Sequence, residues 1–275
     1  MDRRTFLKIL VSSGFCGSFI LSPEMAIAGD TPINRYRIPV PGLPKSFDGF
    51  TIAQLTDLHY GVLDSTSYVR QVVQRVNSVG SDIVACTGDY VKKHHTTEEI
   101  DAVWPEMCRL GAKEGVYSVL GNHDHWANSE RSQQWLEKSG QNLNHSVRKL
   151  TRNGESLWLV GSGDLNEDYK HLDIIMKDIP DGDCRVVLAH NPDTADMDFQ
   201  GRVDLMICGH THGGQINIPF LSQPWLPVKN HNYNFGLKLS KRGFPVFISR
   251  GTGWSIVPIR LNCPPEIAVL ELTAA

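Results

Sequence analysis

The sequence contains no C-x-x-C pair, no low-complexity block and no excess of either charge. The first absence excludes a thiolate zinc finger and a dithiol redox motif. The second, with 41% hydrophobic and 8% aromatic residues, excludes a disordered or fibrous chain. The third, 27 basic against 30 acidic residues for a net charge of −3, leaves no electrostatic footprint for a nucleic-acid surface. Long apolar runs are also missing: Ile9 to Leu21 falls short of the ~20 residues a membrane span needs. Of the six cysteines, Cys86, Cys184 and Cys208 sit in or beside apolar runs and read as small core residues, not as a disulfide framework. Histidine, by contrast, is abundant, with eleven in 275 residues.

Residues 1–28 have the order of an export signal. Arg3-Arg4 and Phe6-Leu7-Lys8 open it, an apolar stretch follows, and Ala26-Ile27-Ala28 supplies a small-x-small cleavage site. The paired arginines resemble a twin-arginine signal. The expected location is therefore outside the cytoplasmic membrane, in periplasm or cell envelope, with the twin-arginine translocase as a partner during export. Whether the signal is cleaved or kept as an anchor stays open. Residues 29–48, with Pro32, Pro39, Pro41 and Pro44, read as an extended linker, and residues 49–275 as the folded domain.

From Phe50 onward, short apolar runs alternate with amphipathic stretches. The runs are Phe50–Leu55, Ile83–Cys86, Val116–Leu120, Leu157–Val160, Val186–Ala189, Leu205–Cys208, Val246–Ile248 and Ile267–Leu270. They have the character of strands covered on both faces. Val69, Val72, Val73 and Val76 follow helical spacing, as do Ile100, Val103, Trp104 and Met107, and Leu172, Ile175, Met176 and Ile179. Pro105 implies that the second helix kinks or starts late. This alternation predicts an α/β fold. Residues 216–245 break it and read as a long loop or small subdomain.

The polar residues after these runs form a pattern. Asp57-Leu58-His59 follows the first, Gly88-Asp89 the second, and Gly121-Asn122-His123-Asp124 the third. His190 follows the fifth, and Gly209-His210-Thr211-His212 the sixth. Carboxyl ends of strands are where sites form in α/β sheets, so these residues converge. Carboxylate, imidazole and amide oxygen without thiolate suit Mn, Fe or Zn. Singly, each has another reading: Asp89 as a helix cap, Asn122 as a turn residue, His190 as a core histidine. Five blocks in order argue for a metal site.

These blocks resemble the motif set of the calcineurin-like metallophosphoesterases. The segments Gly209–Gln215, Ser249-Arg250-Gly251 and Pro258–Glu266 are similar to the bacterial YkuE/YaeI-type phosphodiesterases. The resemblance implies a four-layer αββα sandwich of two mixed β-sheets flanked by helices, with the metal site at strand ends. It implies two divalent metal ions. Asp57, His59, Asp89 and His212 would hold one, and Asp89, Asn122, His190 and His210 the other. His123 would protonate the leaving group and Asp124 would orient His123. The implied reaction is hydrolysis of a phosphodiester by a metal-bridging hydroxide. Two alternatives stand beside it: a pyrophosphatase acting on a lipid-linked or nucleotide-sugar substrate, and a non-enzymatic scaffold.

His125 and Arg250 are candidates for contact with a phosphate-ester substrate, or else surface and packing residues; Arg260 shares that ambiguity. Phe220, Trp225, Leu226, Tyr233 and Phe235 in loop 216–245 either meet a membrane or lipid or pack the loop onto the domain.

Overall fold

The computed structural model describes residues 31–61, 66–217, 226–255 and 260–275. The signal segment 1–28 therefore lies outside the described residues, as do Phe220 and Trp225. No helix among the described residues is long and apolar enough to cross a membrane.

Eleven strands among those residues form two mixed sheets. They are β1 (Ile33–Val40), β2 (Thr51–Leu55), β3 (Ile83–Thr87), β4 (Val116–Val119), β5 (Val147–Arg152), β6 (Glu155–Gly161), β7 (Cys184–Leu188), β8 (Leu205–Cys208), β9 (Gly236–Leu239), β10 (Pro245–Ile248) and β11 (Ile267–Ala274). The first sheet has the order β1-β11-β2-β3-β4 and the second β5-β6-β7-β8-β10-β9. Strands β2, β3 and β4 run parallel, as do β6, β7, β8 and β10; β11 and β2, β5 and β6, and β10 and β9 pair antiparallel.

The sheets face each other across a core of alternate residues, among them Ile52, Ile83, Ala85, Leu159, Val186, Leu188, Ile207 and Phe247. Helices α1 (Thr66–Ser78) and α2 (Glu98–Met107) cover the outer face of the first sheet, where Val69, Val72, Val73, Val76, Ile100, Val103 and Trp104 meet Ala53, Leu55, Val84 and Cys86. α3 (Asn122–Lys138) lies beside α2. The short helix α4 (Leu172–Met176) covers the outer face of the second sheet through Leu172, Ile175 and Met176. The four layers are thus helices, sheet, sheet, helix. Central strands buried on both faces explain the near-continuous apolar runs.

Two expectations need correction. Residues 33–40 are not linker: β1 pairs in parallel with β11 from Ile33 with Ile267 to Val40 with Ala274. Ile38 and Val40 are buried while Arg35, Arg37 and Pro39 are exposed, a period of two. β1 is an edge strand, where proline's missing N–H costs no ladder bond. Phe47, also in the supposed linker, is fully buried against Phe50. α2 does not start late at Pro105: it begins at Glu98 and carries Pro105 in its last turn. The stretch 216–245, read as a long loop or small subdomain, contains the edge strand β9. The free cysteines Cys86, Cys184 and Cys208 are buried, as read from the sequence.

Candidate metal centre

The ends of β2, β3, β4, β7 and β8 converge at one edge of the sandwich. Three overlapping groups of ligand-type side chains gather there: Asp57, His59 and His212; His59, Asp89 and His123; and Asp89, His190 and His210. His59 belongs to the first and second, and Asp89 to the second and third. Asp89 Oδ2 lies 3.5 Å from His59 Nε2 and 3.2 Å from His190 Nε2. His59 and His212 meet Nε2 to Nε2 at 2.9 Å, and His212 Nε2 is 3.2 Å from Asp57 Oδ1. His210 Nδ1 stands 3.0 Å from His190 Nε2.

The backbone carries strain to achieve this. Asp57, His59, Asp89, His210 and His212 all adopt positive φ, between 48° and 72°. Non-glycine residues rarely do so, and clusters of such residues mark functional sites. Glycine serves here mainly by omitting a side chain. A Cβ on Gly121 would fall 2.3 Å from Asp89 Oδ1, and one on Gly209 would fall 2.3 Å from Asp57 Oδ2. These glycines make room for the Asp89 and Asp57 carboxylates.

The electrostatics follow from burial of opposite charges. Burial penalises the Asp57 carboxylate, yet the His212 and His190 imidazoles overcome this and hold it below the usual range. Asp89 is likewise held low, against burial, by His190 and His123. Burial opposes a charged His190, but Asp89 lifts it to about 10. Burial, reinforced by His190, pushes His210 down to about 4, and burial lowers His59 and His123.

A divalent metal ion fits this donor set on three observations. Imidazole nitrogens face each other at hydrogen-bond distance, carboxylate oxygens lie between them, and the buried Asn122 Oδ1 has no hydrogen-bond partner. Oxygen and imidazole donors without thiolate match Mn, Fe or Zn. Cys263 does not join them, because its thiol donates to the His212 carbonyl at 3.1 Å.

Asp124 has a different role from the one expected. Its carboxylate accepts from the amides of Asp89, Tyr90 and Gly121, each at 2.9 Å. His123 Nδ1 instead meets the Lys92 carbonyl at 3.1 Å. Asp124 thus holds the loop that presents Asp89, and Lys92 orients His123. Arg250 is engaged elsewhere as well: its Nη2 donates to Glu266 Oε2 at 2.8 Å. His125 lies beside the centre, with Nδ1 2.8 Å from Ser129 Oγ and Nε2 3.4 Å from Asp168. Arg260, fully buried, donates to the carbonyls of Arg250, Gly251 and Gly253 and approaches His212 Nδ1 at 3.2 Å. It braces the loop behind His212. Leu226 and Tyr233 are buried and turned into the protein, while Phe235 remains exposed.

One residue went unread in the sequence. Asp164 follows β6 at the same edge and is completely buried, with Oδ2 unpartnered. Its charge raises the proton affinity of His190, His210 and His125. The available signal was Gly161-Ser162-Gly163-Asp164 after the fourth apolar run.

The calcineurin-like phosphoesterase profile matches residues 50–214. The phosphodiesterase YaeI of Escherichia coli is 31% identical, with 99% of each chain covered. The uncharacterized metallophosphoesterase YkuE of Bacillus subtilis is 27% identical, over 99% of this chain and 98% of its own. Among solved structures, Haemophilus influenzae NAD nucleotidase is similar with a TM-score of 0.49 and 17% identity, over 75% of this chain and 45% of that one. The profile match spans more than half the chain and contains all of the clustered ligands, so the protein belongs to the calcineurin-like phosphoesterase family and is a hydrolase of phosphate esters.

Proposed function

We propose that the protein is an exported, dinuclear metal-dependent phosphodiesterase. The observation that carries this is the position of Asp89, whose one carboxylate oxygen faces His59 on one side and His190 on the other. Asp57, His59, Asp89 and His212 would hold one ion, and Asp89, Asn122, His190 and His210 the second; Mn, Fe and Zn all accept such donors. When bound, the ions acidify a water and neutralise the anionic oxygens of the ester.

The protein's own groups supply the rest. Asp124 fixes the turn that carries Asp89, and Arg260 fixes the segment behind His212. His123 packs edge-on against His59 with centroids 4.7 Å apart. With Nδ1 on the Lys92 carbonyl, Nε2 is the nitrogen that exchanges a proton with the ester. Burial favours the neutral ring, and an anionic ester beside it favours the charged one. The ring therefore gains its second proton with substrate and gives it from Nε2 to the departing alkoxide.

Diester preference is supported by the name of the Escherichia coli relative. Export is supported by Arg3-Arg4, the apolar stretch 9–21 and Ala26-Ile27-Ala28. The test is hydrolysis of bis-p-nitrophenyl phosphate by metal-loaded protein recovered from cell fractions. Turnover is expected, with the protein outside the cytoplasm and an Arg3→Lys/Arg4→Lys variant retained inside. A fully metal-loaded enzyme that cleaves only monoesters contradicts the diester reading.

A further inference from the structure

Helix α3 is broken at Asn128, whose φ of −169° and ψ of 103° are extended. Asn128 Oδ1 accepts from the Arg131 amide at 2.9 Å, so it caps a second helical segment. The break frees carbonyls that a continuous helix would use. Trp126 O accepts from the His95 amide at 2.9 Å, and Ala127 O from the Thr96 amide at 3.0 Å. The loop 92–97 is thereby docked onto the break. That one loop holds His123 through the Lys92 carbonyl and lays the His94 ring flat on Trp126, with centroids 4.9 Å apart and planes 15° from parallel.

Trp126 is 36% exposed, yet it is held on three sides. Its Nε1 donates to Glu167 at 2.7 Å, His94 stacks on it, and His123 meets it at 4.7 Å between centroids. The rings run outward from the metal centre in the order His59, His123, Trp126, His94. Beside Trp126 opens a cavity of about 640 Å³, walled also by His95, Thr96, Thr97, Asn128 and Ser129. The exposed part of the Trp126 ring, with hydroxyl and amide groups around it, suits a flat ring with polar edges. Because Trp126 meets His123 at 4.7 Å between centroids, a ring held there would lie next to the residue assigned to the leaving group.

We propose that Trp126 and the cavity beside it bind the nucleobase of a nucleoside-bearing phosphodiester, so that they set the substrate class of this phosphoesterase. The inference rests on the phosphodiesterase reading above. It adds a specificity determinant outside the metal ligands. The small net charge is no obstacle, since one base and one phosphate need no extended basic surface.

The experiment uses full-length, metal-loaded protein and two readouts. One is binding of adenosine 5′-monophosphate by calorimetry. The other is competition between adenylyl-adenosine and glycerophosphocholine, read as the ratio of their kcat/KM values. Trp126→Ala is expected to weaken nucleotide binding and lower the ratio about tenfold or more, the order of one lost base stack. Trp126→Phe, which keeps a ring, is expected to restore most of both. Unchanged nucleotide binding and an unchanged ratio in Trp126→Ala overturn the inference while leaving the phosphodiesterase reading intact. A fall confined to bis-p-nitrophenyl phosphate overturns it too, since the shelf then serves any apolar ring. Wild-type protein that binds the nucleotide through Trp126 but cleaves no diester upholds the site and refutes the activity.

Discussion

The Asp124 carboxylate accepts a hydrogen bond from the amide of Asp89 at 2.9 Å. The Asp89 carboxylate, which faces both His59 and His190, is therefore presented by a loop whose backbone is tied to a second, fully buried acid. Tyr90 and Gly121 complete the tie. Asp124→Ala leaves three buried N–H groups unpaired, at about 1–3 kcal/mol each. The expected outcome is reduced metal content together with a lower unfolding midpoint, measured by elemental analysis and urea titration. Full metal content and an unchanged midpoint would show that Asp124 does not hold the loop.

His123 is expected to act on the leaving group and not on the metals. His123→Ala should lower kcat roughly 10²–10⁴-fold for an ester with an alkyl leaving group. The loss should be much smaller for bis-p-nitrophenyl phosphate, whose leaving group needs no proton. Metal content should stay at the wild-type level. Equal losses on both substrates contradict an acid role.

Glu266 joins strand β1 to the loop that carries Arg250. Its carboxylate accepts from Asn34 at 2.8 Å, Tyr36 at 2.7 Å and Arg250 at 2.8 Å. Burial opposes the charge, but Arg250 and the neutral donors outweigh it and hold the group below its ordinary 4.5. A depressed acid stabilises the fold fully above pH 4.5, and that contribution is lost as pH falls through the folded value. Glu266→Gln is expected to be about 3 kcal/mol less stable at pH 7. The gap to wild type should narrow below pH 4.5 in parallel urea titrations. A gap of constant size across that range contradicts the ion-pair account.

Removal of metal should destabilise as well as inactivate. A metal that binds only the folded chain adds about 2.7 kcal/mol at a hundredfold excess over its Kd. Chelation is expected to lower the thermal midpoint, and added Mn or Zn to restore both midpoint and turnover. A midpoint indifferent to chelator would mean that folding and metal binding are uncoupled.

Much of the side-chain cluster was legible in the sequence, because each of its members follows a strand and parallel strands point their ends the same way. Asp57, Asp89 and His190 were readable on that rule alone. Strand β1 was hidden by Pro39, which an edge strand tolerates. The β5–β6 hairpin was signalled by Asn153-Gly154, both at positive φ, and went unread. Asp164 was missed because one acid after one glycine carries little information until the fold buries it beside His190 and His210. Of the partners of Asp124 and Arg250, only the Gly121 amide, three residues before Asp124, is local enough to be read. The others are tertiary contacts, from Asp124 to backbone amides 34 and 35 residues away and from Arg250 to Glu266, 16 residues on.

The most direct test of the metal centre is elemental analysis of Asp89→Asn beside wild type, with turnover measured on the same samples. Wild type is expected to hold about two divalent ions per chain and to hydrolyse the diester, while Asp89→Asn loses at least one ion and falls by several orders of magnitude in kcat. An Asp89→Asn protein that keeps its full metal content and wild-type turnover would contradict the assignment of Asp89 as the shared ligand, and with it the dinuclear centre.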